Sequence, residues 1–150
     1  MRKILLSIII LLFILNYTYS QNVIYVKEVN YEGYIFPKES LFGNSPEMNR
    51  YTPSQENIRV AEQILREYMM SNKHGHIELP KNRRTLKKFT RQYLGYLSSK
   101  NEIIIRINLF DGSKLEEGQF PNVEIIPLLG YCCIQINITT KNISEWEEIR

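Results

Sequence analysis

The residues of this chain best able to do chemistry are few, and most lie close together in sequence. His74-Gly75-His76 followed by Glu78 puts two imidazoles and a carboxylate within five residues, which offers three ligands towards a zinc or copper site. No cysteine or aspartate stands nearby to supply a fourth, and a glycine-centred loop after a helix collects polar residues for solubility alone. A polar loop is therefore the stronger reading of His74, His76 and Glu78, and no metal is expected. These are also the chain's two histidines, so a serine or cysteine nucleophile would have to reach one of them across the fold to find its base. No Gly-x-Ser-x-Gly elbow occurs. Asp111 is the one aspartate among 16 acidic residues, which excludes EF-hand-like calcium loops and Asp–Asp dyads. Among the glutamates nothing selects a pair for glycoside hydrolysis. With neither a Gly-x-Gly-x-x-Gly nor a Walker pattern, no nucleotide cofactor is expected, and no other cofactor is implied.

Two further groups invite a functional reading. Cys132 and Cys133 are adjacent, and a bridge between neighbours would need a distorted peptide unit, so both read as structural thiols on opposite faces of a strand. Lys81, Arg83, Arg84, Lys87, Lys88 and Arg91 form a basic run with Phe89, Tyr93 and Tyr96 beside it. Cations next to aromatic rings can grip an anionic glycan, a lipid headgroup or a nucleic acid. The binding candidates are thus Arg83, Arg84, Lys87, Lys88, Arg91, Tyr93 and Tyr96, although an ordinary solvated segment that protects a sheet edge is the favoured reading.

The elements that must position these groups follow from periodicity. Thr52-Pro53-Ser54-Gln55 predicts a helix start, with Thr52 as cap, Pro53 at the first helical position and Gln55 closing a capping box. Ile58, Ala61, Ile64, Leu65, Tyr68 and Met69 recur three and four apart as one apolar stripe, with Glu56, Arg59, Glu62, Gln63 and Arg66 directed elsewhere. The helix should stop near Ser71-Asn72. A loop through Gly75 and Pro80 then leads to two strands between Phe89 and Phe110, hinged at Ser98-Ser99-Lys100-Asn101; the second sets Ile103, Ile105, Ile107 and Leu109 against Ile104, Arg106 and Asn108. Val123 to Ile126 reads as a short strand before Pro127. Cys132, Ile134, Ile136 and Ile138 alternate with Cys133, Gln135 and Asn137 as another, and a turn at Thr140-Lys141-Asn142 returns the chain through Ile143 to Arg150. Ahead of the helix, Val23 to Val26 suggests a short strand, and residues 30 to 50 suggest an irregular arm, since Gly33, Pro37, Gly43, Asn44 and Pro46 interrupt its aromatics. The fold class expected is α+β: one amphipathic helix packed on an antiparallel meander sheet of about four to five strands.

Length and composition set the frame. The chain has 150 residues, 43% hydrophobic and 23% charged, which suits one domain over residues 51–150 preceded by the strand and arm at 21–50. Residues 1–20 have the three-part layout of a secretory signal peptide: Arg2-Lys3, an apolar run of twelve residues from Ile4 to Leu15 broken only by Ser7, and small residues at Thr18 and Ser20. The apolar run falls short of the roughly 20 residues a spanning helix needs. Cleavage near Ser20 is expected, leaving no stable membrane span. Loss of Arg2 and Lys3 takes 19 basic residues to 17 against 16 acidic, so the exported chain is close to neutral and nucleic acid is not expected as a partner. Thirteen asparagines and 21 isoleucines indicate compositional bias, which removes weight from the glycosylation sequons at Asn137 and Asn142.

Three stretches, RYTPSQENIRVAEQIL (50–65), KKFTRQYLGYLSSKNEIIIRINLF (87–110) and YCCIQINITTKNISEW (131–146), resemble a group of small exported bacterial proteins of unassigned function. The helix-then-meander order is similar to cystatin-like and PepSY-like domains. The inhibitory cystatins carry Gln-x-Val-x-Gly, whereas Gln92-Tyr93-Leu94-Gly95 spaces its Gln and Gly differently and has Leu in place of Val, so protease inhibition is not implied. The resulting expectation is a periplasmic or secreted module, more a binder than an enzyme, that recognises a protein or a surface glycan. A small envelope hydrolase, or an inhibitor of an envelope enzyme, is the rival.

Overall fold

In the computed structural model the described residues are 23–40, 49–71, 83–111 and 130–145. They form a seven-stranded sheet with one long helix. The elements in chain order are β1 (Ile24–Lys27), β2 (Glu32–Ile35), β3 (Asn49–Tyr51), α1 (Gln55–Met70), α2 (Arg83–Leu86), β4 (Thr90–Leu97), β5 (Ile103–Phe110), β6 (Gly130–Asn137) and β7 (Asn142–Glu145). The α+β class and the helix on an antiparallel-dominated sheet are as the periodicity predicts. β4 to β7 are the meander, each strand antiparallel to the next. Its turns hold non-glycine residues in the left-handed region, Asn101 at φ 59° and Lys141 at φ 60°.

The sheet is wider than expected because the segment before the helix belongs to it. β1 and β2 form an antiparallel hairpin, β2 lies parallel to β4 over Gly33–Ile35 and Arg91–Tyr93, and β3 runs antiparallel to β4 over Leu97 to Gly95. Residues 32–35, anticipated as part of an irregular arm, are therefore inside the sheet. Parallel neighbours require a crossover, and α1 lies within it. Two glycines permit the close approach. A Cβ on Gly33 would fall 2.4 Å from the Arg91 carbonyl oxygen, and one on Gly95 would fall 2.5 Å from that of Tyr51. Gly33 thus acts as a packing position for β2, where the sequence suggested a break.

The helix start also differs in detail. Ser54 is the cap: its hydroxyl accepts from the Asn57 amide at 3.1 Å, and Asn57 Oδ1 accepts from the Ser54 amide at 3.0 Å. Thr52 Oγ1 instead accepts from the Lys38 amide at 2.8 Å, which ties the segment after β2 to the helix entry. The box moves two residues on because Pro53 is the last residue before the cap, not the first of the helix. α1 ends at Met70 with Ser71 as its C-cap, as anticipated. Ile58, Ala61, Ile64 and Leu65 are buried in one cluster with Ile105, Ile107, Leu109, Ile134 and Ile136. Glu62, expected to face away, is buried among them, 1% exposed.

On the opposite face of the sheet a smaller cluster joins Phe36, Leu94, Tyr96 and Ile104, with Val23 and Tyr34 against it. Beside it runs a polar stripe: Asn108 donates to Gln92 at 3.3 Å, and Arg106 Nε donates to Asn108 Oδ1 at 3.2 Å and to Cys133 Sγ at 3.0 Å. Cys133 is a half-buried thiol on the Gln135 side, outside any disulfide. The expected leader, the strand expected at Val123 to Ile126 and the residues after Glu145 lie outside the described residues. Among the described residues no helix is long and apolar enough to cross a membrane.

Candidate functional site

β1 is the outermost strand on its side of the sheet, and among the described residues nothing pairs with its free edge. Ile24 and Tyr25 on it are about half exposed, and Val29 in the turn that follows is 86% exposed. A short apolar and aromatic rim of this kind is the sort of surface that marks interaction sites. Next to it a shallow pocket opens between β1 and the start of α1, lined by Tyr25, Val26, Lys27, Glu28, Tyr31, Gln55 and Ile58.

The local chemistry of the rim is set by Glu32. Its Oε2 accepts from the Tyr25 hydroxyl at 3.0 Å and lies 3.2 Å from Lys27 Nζ. Those two contacts, Lys27 first, hold the Glu32 carboxyl below its ordinary value. Lys27 is pushed up, chiefly by its bond to Glu32, and Tyr25 is pushed up by partial desolvation and then by that carboxylate. The Tyr25 ring lies 5.0 Å from that of Tyr34, tilted by 50°. The turn to β2 closes with the Glu28 amide donating to the Tyr31 carbonyl at 2.8 Å, and Arg59 links Glu28 at 4.0 Å to Glu56 on α1.

Beneath the pocket the polar chemistry turns inward. Tyr31, 6% exposed, stands edge-on to Tyr93 at 6.4 Å, and the Arg91 guanidinium lies 5.9 Å from its ring centre. Arg91 Nε donates to Glu62 Oε1 at 2.8 Å, Tyr93 donates to the same oxygen at 2.9 Å, and Arg91 Nη1 donates to the Phe89 carbonyl at 2.6 Å. Arg91 Nη2 is buried and meets no acceptor among the described residues. Burial, then the Glu62 charge, pushes the Tyr93 hydroxyl well above its ordinary value. Burial, followed by Glu28, raises Tyr31 as well. This ion pair fastens α1 to β4 directly behind the pocket floor. Arg91 spends one donor on the Glu62 carboxylate and one on the Phe89 carbonyl, and Tyr93 donates to the same carboxylate oxygen, so the chemistry of the group is that of a clamp.

The sequence-derived binding residues separate. Arg84, Lys87 and Lys88 are exposed, Arg83 opens α2 with its side chain outside the described residues, and Arg91, Tyr93 and Tyr96 are fully buried. The last three therefore do not share a surface with the others. Tyr96 lies under Arg50, whose guanidinium is 5.2 Å from the ring. The strand explains the split: once the chain enters β4, the centre of the sheet, both of its faces are covered. His74, His76 and Glu78 lie outside the described residues, and among the described residues no group of three potential metal ligands converges. Sequence reasoning missed Glu62. The signal was present, since Glu62 is four residues after Ile58 and three before Leu65, in the middle of the apolar stripe.

A scan against family models, a search of curated proteins and a search of solved structures each return no match.

Proposed function

We propose that the chain is an exported, non-catalytic binding module of the bacterial envelope or exterior, and that it recognises a protein partner through the rim formed by β1 and the start of α1. The observation that carries this reading is the exposure of Ile24, Tyr25 and Val29 beside a strand edge with which no described residue pairs. An extended partner segment adds main-chain hydrogen bonds to such an edge, and the neighbouring pocket receives one of its side chains. Export is supported by the layout of residues 1–20, and it places the module in the periplasm or outside the cell.

The test is site-specific photocrosslinking in the host's envelope and culture fractions. A crosslinker in place of Tyr25 should yield one discrete protein adduct, and a crosslinker in place of Lys100, at the far end of β4, should not. The reading fails if neither position gives an adduct, or if both give the same set. Intact mass of the exported protein tests the leader separately: a chain starting at Gln21 is expected, and retention of residues 1–20 would refute cleavage.

A further inference from the structure

Between Glu78 and Glu102 the sequence contains no acidic residue, while Lys81, Arg83, Arg84, Lys87, Lys88, Arg91 and Lys100 all fall there. The fold divides this charge. Arg91 turns inward to Glu62, and Lys100 sits in the β4–β5 turn at the opposite end of the strand. Arg84, Lys87 and Lys88 remain together on α2 and the turn that follows it, all exposed. None of the three side chains forms an ion pair or hydrogen bond among the described residues. Their backbone is nevertheless fixed. The Lys88 amide donates to Thr85, the Phe89 amide donates to Leu86, and the Leu86 side chain is buried in the core.

We propose that this three-cation knob docks onto a bilayer carrying anionic phospholipid headgroups. Its chemistry separates that surface from other anions. Tyr93 and Tyr96 are buried and Phe89 packs against the core, so among the described residues no exposed ring accompanies the cations to stack on a sugar or a nucleobase. Two of the three are lysines, compact point charges with no planar fork to orient a single carboxylate. Point charges without fixed geometry suit a fluid array of phosphodiesters, where each basic side chain near the surface strengthens binding about fivefold. Free phosphate shares the headgroup chemistry but engages one charge at a time, so it binds far more weakly than the array. This docking is independent of the β1 rim, which faces a protein in the reading above.

The experiment measures co-sedimentation of the full chain with vesicles of phosphatidylcholine alone or mixed with phosphatidylglycerol, at low ionic strength. Binding to the neutral vesicles reports any contribution of the apolar residues 4–15, and the difference between the two vesicle types is the quantity read. That difference should be large and should disappear in high salt. The double variant Lys87→Gln/Lys88→Gln should lower it about 25-fold, at about fivefold per charge, whereas Lys100→Gln should leave it unchanged. All three side chains concerned are exposed, so circular dichroism and urea midpoints should match the parent. No difference between vesicle types overturns the proposal, and so does an equal loss in the Lys100 variant. Displacement by millimolar inorganic phosphate would mark a free-phosphate site and would overturn it as well.

Discussion

The same three groups, a cation, a carboxylate and a phenol, meet twice in this protein with nearly the same geometry. At the rim, one oxygen of Glu32 takes Lys27 at 3.2 Å and Tyr25 at 3.0 Å; in the core, one oxygen of Glu62 takes Arg91 at 2.8 Å and Tyr93 at 2.9 Å. They differ in surroundings. The rim pair is 69% and 40% exposed, whereas the core pair is 0% and 1% exposed. In water each rim partner can leave the other without loss, since solvent takes its place. In the core the departure of one partner strands a charge. The first cluster therefore adjusts protonation on a surface, and the second fixes where α1 lies on the sheet.

Substitutions can break or sharpen this contrast. The largest effect is expected from Glu62→Ala, which leaves Arg91 buried and uncompensated and should cost about 3–5 kcal/mol in urea unfolding. Replacing all three members, Glu62→Leu with Arg91→Met and Tyr93→Phe, should recover much of that loss; failure to recover would mean that the cluster stabilises through more than charge pairing. Leu65→Ala, on the same helix turn but among neutral neighbours, should cost about 2–5 kcal/mol by leaving a cavity, and a stable variant would show that the stripe does not face the sheet. Tyr93→Phe removes one hydrogen bond to a charged acceptor, worth about 1.5–3 kcal/mol. It also changes the alkaline limb. Because the Tyr93 hydroxyl is raised in the folded state, its contribution is complete below the ordinary tyrosine value and is lost as pH rises through the folded one, so the parent should unfold at high pH more sharply than the variant. Ser54→Ala should cost about 1 kcal/mol as a lost cap. Glu32→Gln should lower the unfolding midpoint at neutral pH only slightly. Since Glu32 is lowered on folding, its small contribution exists above the unfolded carboxylate value and fades as pH falls through the folded one, so any difference should vanish in acid.

Much of the architecture was legible because it is written in local patterns. The stripe on α1, the β4–β5 hairpin and the alternation along β5 and β6 each lie within a window that a period of 3.6 or 2 can expose. β2 was not legible: it is four residues long, includes a glycine, and takes its place from a strand some 60 positions later. The clamp was half legible. Glu62 sits where an apolar residue belongs, but nothing near it in sequence points to Arg91, 29 residues away. The same strand explains why Arg91, Tyr93 and Tyr96 read as companions of the basic run. Composition does not show where a solvated turn becomes a central strand, and here that change comes between Lys88 and Thr90. The basic run itself survives as three exposed cations rather than seven mixed residues.

The outer edge of β4 is covered by two short strands placed end to end, β2 over Arg91 to Tyr93 and β3 over Gly95 to Leu97, and both come from residues made before the helix. β2 can close its hairpin with β1 early, but neither β2 nor β3 can dock on β4 until that strand has been synthesised, so they are among the last strands to take their places in the sheet. The meander can close first, because its contacts are near in sequence, and loop closure over a long span is slower. Until the N-terminal segment arrives, an eight-residue strand presents an open hydrogen-bonding edge, a template for pairing between copies. The vulnerable interval in the life of this protein is therefore the one between closing the meander and laying down β2 and β3, and a partner that held the first fifty residues apart would prolong it.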